Sequence, residues 1–310
     1  MNFLDYRILI TDQEKEEKPL ILQNQTTFLS RGNLACITGK AKSCKTFLIS
    51  AIIASFLEDE ILTFSKGMKN GKVLHIDTEQ SQSHVQNVQQ RIYKLSGWDL
   101  FRSDDRLVTL ALRPLSFEER MNVVSEAISG IKPDLVVIDG IRDLVEDFND
   151  IKSSARIVSN LMKLSEVYNC GIIVVLHQNK ADNNARGHLG TELTNKVETM
   201  LQLTSIEGKI IVSPDASRNN GIQPFAFHIN NKELPELCDM PKNRKTCNTI
   251  REEVMHIMEE SKSMSKQLFI EKYIKMTGRK KSTAYTKLKE AISSGIIKEA
   301  GDMIMRKEEK

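Results

Sequence analysis

The sequence predicts an α/β fold with a mostly parallel sheet and helices on both of its faces. Two observations predict the sheet. Short apolar runs alternate with segments of helical periodicity, and the apolar runs end in polar clusters. A third observation, a change of pattern and charge beyond residue 230, predicts a small separate unit. We therefore expect a main domain over residues 1–229, a linker over 230–248 and a second domain over 249–310.

Composition narrows the class of protein. Hydrophobic residues make up 40% and charged residues 27% of the 310 residues, as is usual for a globular chain with a full core. No apolar stretch is long enough to span a bilayer, and the N-terminal residues lack a signal peptide, so we expect a cytoplasmic protein without membrane contact. The five Cys form no C-x-x-C pair and the six His no cluster, which disfavours zinc and disulfides.

The first buried strand leads into a loop that is typical of phosphate binding. The apolar run 34–37 precedes Gly39, and helical periodicity starts at Lys45. Residues 39–46 match G-x-x-x-x-G-K-[ST] except at the second glycine, where Cys44 stands. The alternative is an incidental strand–turn–helix, but the strand before the loop and the helix after it favour the functional interpretation. The predicted nucleotide-binding residues are Gly39, Lys40, Ala41, Lys42, Ser43, Cys44, Lys45, Thr46 and Phe47.

The residue types of this loop suit a nucleoside triphosphate. Backbone N–H groups and the positive end of the helix surround phosphates. Lys45 would reach the β- and γ-phosphates, and the Thr46 hydroxyl would ligate Mg²⁺. ATP and Mg²⁺ are therefore the expected ligands. A Cβ at Cys44 would crowd a backbone that has to approach phosphate closely.

Four further apolar runs predict the rest of the parallel sheet, and helical periodicity follows three of them. Because ligands bind at the carboxyl ends of parallel strands, the polar residues there are candidate site residues. The runs are 73–76, 107–112, 134–138 and 171–176, and the polar clusters are 77–80, 139–140 and 177–180. Ser116 and Glu119 have capping-box spacing before one of the helices.

Three strand-end residues and one arginine are the candidate catalytic and metal-binding groups. Asp139 would hold the Mg²⁺ water shell, or simply cap a turn. Glu79 would polarise a water against the γ-phosphate, although many strands end in an acidic residue. Gln178 would contact the γ-phosphate, or merely end its strand. Arg218 is either a surface residue or an arginine finger supplied to a neighbouring subunit.

The remaining pattern of the main domain is less regular. Short strands are expected around 6–10 and 20–22, and residues 181–194 are predicted to be a polar loop. Glu207-Gly208 indicates a hairpin between strands at 200–204 and 209–212. Alternating apolar residues at 225–229 predict a last strand.

The C-terminal unit has the pattern of a winged helix-turn-helix, with three helices and a hairpin in about sixty residues. From Pro241 onwards the chain carries a net charge of +7, against −4 for the remainder. A basic unit on a mildly acidic body predicts DNA as a partner, although a basic face is also compatible with a solvated surface. The third helix would supply the contacts. The predicted DNA-binding residues are Arg279, Lys280, Lys281, Lys287 and Lys289.

Five segments in order resemble RecA-like ATPases, over about residues 20–230. Besides the phosphate loop, they look like the catalytic-glutamate segment, the Walker B strand, the γ-phosphate sensor and the arginine finger. Those four segments are 76–80, 137–140, 177–178 and 216–219. The order is similar to DnaB-type and RepA-type helicases, the latter from plasmids and mobilizable elements. Two positions depart from the motifs of this family: Cys44 replaces a glycine, and Ala216 replaces the lysine of the Lys-x-Arg finger segment.

The resemblance implies an ATP-hydrolysing, helicase-like protein that acts on DNA in replication or mobilisation of a plasmid or mobile element. Its catalytic residues would be Lys45, Glu79, Gln178 and Arg218. The partners would be DNA and further copies of the chain, with a hexameric ring as one form. Residues 180–194, with Lys180 and Arg186, would face the DNA channel. The alternatives are an ATP-gated DNA-binding regulator without motor activity and a KaiC-like signalling ATPase without DNA.

Overall fold

A computed structural model describes residues 4, 7–10, 18–68, 71–178, 185, 187–219, 221–241, 250–259, 261–293 and 295–306. The chain divides into two compact units, Met1–Pro241 and Lys242–Lys310. In the part of the chain that the structure describes, no helix combines the length and apolar character that a bilayer crossing requires. Each unit has its own core and is described by itself.

The first unit contains twelve strands and five α-helices in the described residues. Its strands are β1 Pro19–Gln23, β2 Thr26–Ser30, β3 Leu34–Gly39, β4 Phe64–Lys66, β5 Val73–Asp77, β6 Leu107–Ala111, β7 Leu135–Asp139, β8 Gly171–His177, β9 Thr199–Ile206, β10 Lys209–Ser217, β11 Phe225–Ile229 and β12 Pro235–Cys238. Its helices are α1 Lys45–Leu57, α2 Gln82–Ser96, α3 Phe117–Ile131, α4 Ile151–Tyr168 and α5 Gly187–Lys196.

Nine of these strands form one large sheet in the order β12-β11-β10-β9-β3-β8-β7-β5-β6. The six strands from β9 to β6 are parallel, and β10, β11 and β12 continue the sheet in antiparallel pairing. The predicted α/β fold with a mostly parallel sheet is therefore confirmed. All parallel strands end at the same edge, where the polar clusters of β3, β5, β7 and β8 meet.

Helices cover both faces of the sheet, which explains why the strands are continuous apolar runs. Ile37, Val137 and Val175 pack on the face that carries α1 and α2. Their neighbours Cys36, Ile138 and other even-numbered residues pack on the face that carries α3, α4 and α5. Along β3, β7 and β8, odd-numbered side chains thus lie on the α1 face, and this parity decides which strand-end residues reach the phosphate loop.

Several local predictions need correction. Residues 7–10 form no strand, and Tyr6 lies outside the described residues. The predicted strand at 20–22 is β1, but it joins β2 and β4 in a separate antiparallel sheet that the sequence pattern did not reveal. Strand β12 lies within residues 230–248, the predicted linker, and pairs with β11, so the first unit extends to Pro241.

Helix α5, Gly187–Lys196, begins within the segment 181–194 that was predicted as a polar loop and extends two residues beyond it. Two glycines and many polar residues concealed it. Gly190 is needed because a Cβ there would lie 2.5 Å from the Ala185 backbone. Leu189 and Leu193 are buried and anchor the helix to the sheet. The capping box of α3 is confirmed, since the Ser116 and Glu119 side chains bond reciprocally to backbone N–H groups.

The second unit contains three helices and a three-stranded antiparallel sheet in the residues that the structure describes. Its elements are α6 Ile250–Ile257, β13 Ser263–Ser265, α7 Lys266–Thr277, α8 Lys281–Ser293, β14 Ile297–Ala300 and β15 Met303–Arg306. The sheet order is β13-β15-β14, and Phe269, Tyr273 and Leu288 belong to the core. The Ser265 hydroxyl caps α7 by accepting from the Leu268 N–H. The assignment of this unit as a winged helix stays a prediction.

His75 makes the stability of the first unit dependent on pH. Its side chain on β5 is fully buried, and neither ring nitrogen has a hydrogen-bond partner among the described residues. Burial lowers its pKa from 6.5 to about 4. The unfolded chain therefore binds a proton between these pH values that the folded chain excludes. The contribution of His75 to stability is fully present above about pH 6.5 and is lost as the pH falls, by about 3 kcal/mol at pH 4.

We expect His75→Leu protein to lose this pH dependence and to be more stable at pH 7, because the substitution removes two unpaired polar atoms. Urea unfolding at pH 7.5 and 4.5 measures both effects. His188→Gln, at an exposed position of α5, should retain the wild-type dependence. Equal pH slopes in wild-type and His75→Leu proteins would contradict the assignment.

Candidate functional site

The predicted phosphate-binding loop joins β3 to α1 in an unusual backbone conformation. Lys42 and Cys44 both have positive φ, 63° and 61°, and Cys44 is the residue that precedes α1. This left-handed conformation is the one that glycine adopts without cost, which explains why the motif has glycine at position 44. The Ser43 hydroxyl is buried and has no partner among the described residues. A buried, unpartnered donor in such a loop is suited to an anionic ligand.

Lys45 lies at the centre of the loop. Its ammonium donates to the carbonyl oxygens of Gly39 at 3.0 Å and Lys40 at 2.9 Å, and lies 3.1 Å from His177 Nδ1. Burial lowers the pKa of this ammonium, and the carboxylates of Asp139 and Glu79 oppose the shift. The side chain thus points into the concave side of the loop, where phosphates bind in loops of this sequence.

Thr46 and Asp139 bring two oxygen ligands together. The Thr46 hydroxyl donates to Asp139 Oδ2 at 3.0 Å. Burial, followed by the nearby Asp77 carboxylate, raises the pKa of Asp139 to about 7. A cation would offset this cost of burying negative charge. Hydroxyl and carboxylate oxygens are the ligands that Mg²⁺ prefers, so the two side chains fit the predicted metal.

Glu79 follows β5 and is held beside Asp139 by two features. Asp77 Oδ1 accepts the backbone N–H groups of Glu79 and Gln80, at 3.0 and 2.7 Å. Gly140, at φ 108°, allows close approach, because a Cβ there would lie 2.9 Å from Glu79 Cγ. The Glu79 carboxylate accepts from His177 Nε2 at 3.3 Å, and this hydrogen bond lowers its pKa.

His177 bridges two groups of the site whose connection the sequence did not reveal. With Nε2 protonated, it donates to Glu79, and its Nδ1 accepts from Lys45. The residue predicted for this place was the next one, Gln178, which is buried and is not among the residues that line the cleft. The Gln178 backbone N–H donates to the Gly39 carbonyl. The alternation of side chains along β8 places His177 on the α1 face of the sheet, because Ile173 and Val175, at the preceding odd-numbered positions, pack there.

These residues line one open cleft of about 460 Å³ at the carboxyl edge of the sheet. Helix α2 forms its far wall, a contribution that no sequence pattern indicated. The Arg91 guanidinium stacks over the Phe47 ring at 3.7 Å from its centroid. The lining residues are Lys42, Ser43, Cys44, Lys45, Thr46, Phe47, Glu79, Gln80, His84, Asn87, Val88, Arg91, Asp139 and His177.

The structure places Arg218 far from this cleft. The Arg218 N–H donates to the Glu198 carbonyl, and the Glu198 N–H donates to the carbonyl of Leu34, where β3 begins. The phosphate loop starts at Gly39, where β3 ends. About five residues of strand separate the two ends, or about 16 Å. Arg218 therefore lies at the opposite end of the sheet from the phosphate loop of its own chain.

The predicted DNA-binding residues differ in their surroundings. Lys180 and Arg186 lie outside the described residues. In the second unit, Arg279 bonds to the Tyr273 hydroxyl at 3.0 Å and lies 3.6 Å from Glu253, and Lys287 is paired with Glu290 at 2.6 Å. The other cations of the predicted set are exposed on or beside α8: Lys280, Lys281 and Lys289.

A family model described as an AAA domain matches residues 8–183. The matched residues make up more than half of the chain. The chain belongs to the AAA domain family. The AAA domain is a P-loop ATPase domain, and the match covers every residue that lines the cleft. It ends before α5, Arg218 and the second unit. No curated protein matches the chain.

Cys44 offers a test of the loop of this AAA domain. We expect Cys44→Gly to preserve or tighten ATP binding, because glycine adopts the left-handed conformation without the cost of about 1 kcal/mol that a side chain incurs. Titration with a fluorescent ATP analogue measures the affinity. Cys238→Gly, outside the cleft, serves as the cysteine control. Weaker binding by Cys44→Gly would mean that the loop depends on the thiol.

Proposed function

We propose that the chain hydrolyses ATP in the cleft between the phosphate loop and α2. The observation that carries this proposal is the meeting of Lys45, Thr46, Glu79 and Asp139 in one cleft. A cation, two possible metal ligands and an ionised carboxylate are the groups that phosphoryl transfer to water requires. The orphaned Ser43 hydroxyl adds a donor for phosphate oxygen.

Each residue has a role that follows from its contacts. Lys45 stabilises charge on the β- and γ-phosphates. Thr46 and Asp139 would hold Mg²⁺, which would supply neutralisation of the phosphate charge. Glu79 orients the attacking water, because its low pKa keeps the carboxylate ionised and able to accept a hydrogen bond. Asp77 fixes the backbone of Glu79 so that the carboxylate remains in place.

His177 takes the role that was predicted for Gln178. It contacts both Lys45 and Glu79, and so responds to any phosphate that draws Lys45 away from Nδ1. His177 is the last residue of β8 and precedes residues 180–194 in the chain, so a change at His177 would be transmitted to the segment predicted to face DNA. The Gln178 backbone N–H donates to the Gly39 carbonyl and so ties the end of β8 to the start of the phosphate loop.

Arg218 acts on a second copy of the chain in this proposal. The separation of about 16 Å between its backbone and its own phosphate loop is more than an arginine side chain spans. The side chain is exposed and can reach a neighbouring molecule. As an arginine finger it would stabilise the charge that develops on the γ-phosphate, and the active form is then a homo-oligomer.

The finer part of the proposal is a RecA-like, helicase-like protein of the DnaB and RepA type, acting on DNA in replication or mobilisation of a mobile element. The order of motifs, the basic C-terminal unit and the exposed Lys280, Lys281 and Lys289 support it. In this proposal the second unit is a winged helix and α8 is the helix that contacts DNA. The alternative with specific support is an ATP-gated regulator, because the same basic unit serves that function equally well.

Phosphate release from ATP, with and without single-stranded DNA, tests the proposed function. Hydrolysis that DNA stimulates supports a motor. Hydrolysis or binding that DNA leaves unchanged, together with ATP-dependent duplex binding, supports the regulator. A chain that neither binds nor hydrolyses ATP contradicts both.

The exposed cations of α8 give a further prediction. We expect a double variant, Lys281→Ala with Lys289→Ala, to bind duplex DNA more weakly, with a log–log salt slope that decreases by about 0.9 for each DNA phosphate that the variant no longer neutralises. Fluorescence anisotropy at several salt concentrations measures both. Lys163→Ala, exposed on α4, should bind as the wild type does. An unchanged salt slope in the double variant would mean that these lysines face solvent and do not contact DNA.

A further inference from the structure

Glu198 is a buried carboxylate at the end of the sheet opposite to the cleft. Its residue is only 3% exposed, and it precedes β9. One oxygen accepts from the Ser30 N–H at 2.7 Å. The other accepts from the Ser30 hydroxyl at 3.0 Å and from the Asn219 side-chain amide at 2.8 Å. All three of these donors are neutral, so among the described residues the Glu198 side chain is held by hydrogen bonds and not by an ion pair.

The same carboxylate fixes the segment that carries Arg218. Asn219 Nδ2 bonds to Glu198 and also to the Thr27 carbonyl, at 3.1 Å. The Ser217 hydroxyl donates to the Asn219 carbonyl at 2.7 Å and accepts the Asn219 N–H at 3.2 Å. The turn is thus tied to β2 on one side and closed on itself by Ser217.

Between these fixed neighbours, Arg218 extends outwards. Its backbone N–H donates to the Glu198 carbonyl at 2.8 Å. Its guanidinium bonds to the carbonyl of Lys196, the last residue of α5, at 3.1 Å. A helix C-terminus carries partial negative charge, so this contact holds the guanidinium at the surface when no anion competes for it. The Glu198 side chain that anchors the turn is buried, whereas the Arg218 guanidinium that the turn carries is exposed.

We propose that Glu198 is a positioning residue, which through Asn219 and Ser30 holds Arg218 in the orientation that reaches the ATP site of a second copy of the chain. This inference rests on the proposed function of Arg218. Preorganisation is the physical reason: charge stabilisation at a transition state is effective only when the donor is already in place. Burial of a carboxylate that has hydrogen bonds but no cationic partner among the described residues is otherwise a costly way to close a turn.

Glu198→Gln tests the proposal with little change in shape. The amide nitrogen would face a donor where the carboxylate now accepts, so the segment has to shift. Asn219→Ala is the second variant and removes two bonds from the same turn. Glu236→Gln is the control, because this carboxylate accepts from the Asn230 amide at the surface. The first two variants should unfold cooperatively but at a lower temperature than the wild type, because they lose buried hydrogen bonds. At a temperature where all three are folded, binding of an ATP analogue should match the wild type, and turnover should fall tenfold or more in the first two only.

Mixed oligomers separate positioning from a merely structural role. Glu79→Ala and Arg218→Ala proteins are the reference pair, and together they should recover activity, because one supplies the arginine to the intact cleft of the other. Glu198→Gln protein should recover activity with Glu79→Ala, whose arginine is correctly held. It should recover none with Arg218→Ala, since neither partner then supplies a correctly placed arginine.

Three results would overturn the proposal. Wild-type turnover in Glu198→Gln and Asn219→Ala would show that the anchor is dispensable. If Glu198→Gln protein recovers activity with Arg218→Ala but not with Glu79→Ala, Glu198 supports the cleft of its own chain. If the reference pair forms mixed oligomers without recovery, Arg218 does not act between copies, and the proposed finger fails together with its anchor. If Glu198→Gln does not fold, the same mixtures with Asn219→Ala decide.

Discussion

Lys45→Ala protein should lose ATP hydrolysis by at least about 10²–10³, while its unfolding temperature stays close to that of the wild type. The loss follows from removing a preorganised cation from the place where phosphate charge develops. The fold should be retained because, among the described residues, the ammonium bonds to two loop carbonyls and His177, none of which belongs to a hydrophobic core cluster. Phosphate release at saturating ATP measures the effect.

Lys40→Ala is the matched control for that variant. Its side chain belongs to the same loop and carries the same charge, but it is exposed, and only its carbonyl contacts Lys45. Turnover within a few-fold of the wild type is expected. Hydrolysis at the wild-type rate in Lys45→Ala would remove the cleft from consideration as the ATP site.

Arg218→Ala protein should lose turnover by about 10³–10⁵ and keep nucleotide binding, because a finger contributes to the transition state rather than to the bound substrate. Turnover per wild-type chain should also rise with protein concentration until assembly is complete. Phosphate release across a dilution series, with sedimentation at the same concentrations, measures this dependence. Arg102→Ala, in an exposed loop of the same unit, should behave as the wild type does. Turnover that is independent of dilution into monomers would mean that each cleft is complete within one chain.

The sheet and the centre of the cleft were predictable for one physical reason. Strands buried on both faces are continuous apolar runs, and each run marks its own carboxyl end by the polar residues that follow. The sequence positions of Thr46, Glu79 and Asp139 therefore indicate one common edge of the sheet. The loop motif then supplied the chemistry, because a lysine at a helix start has few other uses in that context.

The same burial explains what could not be predicted. A strand that is apolar on both faces has no alternation, so nothing in 171–176 shows which of His177 and Gln178 faces the phosphate loop. The structure shows which alternate side chains of β8 face the phosphate loop, because Ile173 and Val175 pack on the α1 side. Helix α5 was missed because Gly187 and Gly190 indicate a loop locally, whereas close packing against Ala185 requires the second of them. Arg91 joined the cleft through packing between helices, which no local pattern encodes.

The separation of Arg218 from its own phosphate loop bears on how copies of this chain would assemble. If Arg218 is the finger that we propose, each molecule donates at one end of its sheet and receives at the other, an arrangement that suits head-to-tail association through two different surfaces. An open row built in this way always leaves one cleft without an arginine, and a closed ring leaves none. The activity per chain would therefore be lower for an assembly with free ends. Closure of a ring would be visible as a last increase in rate.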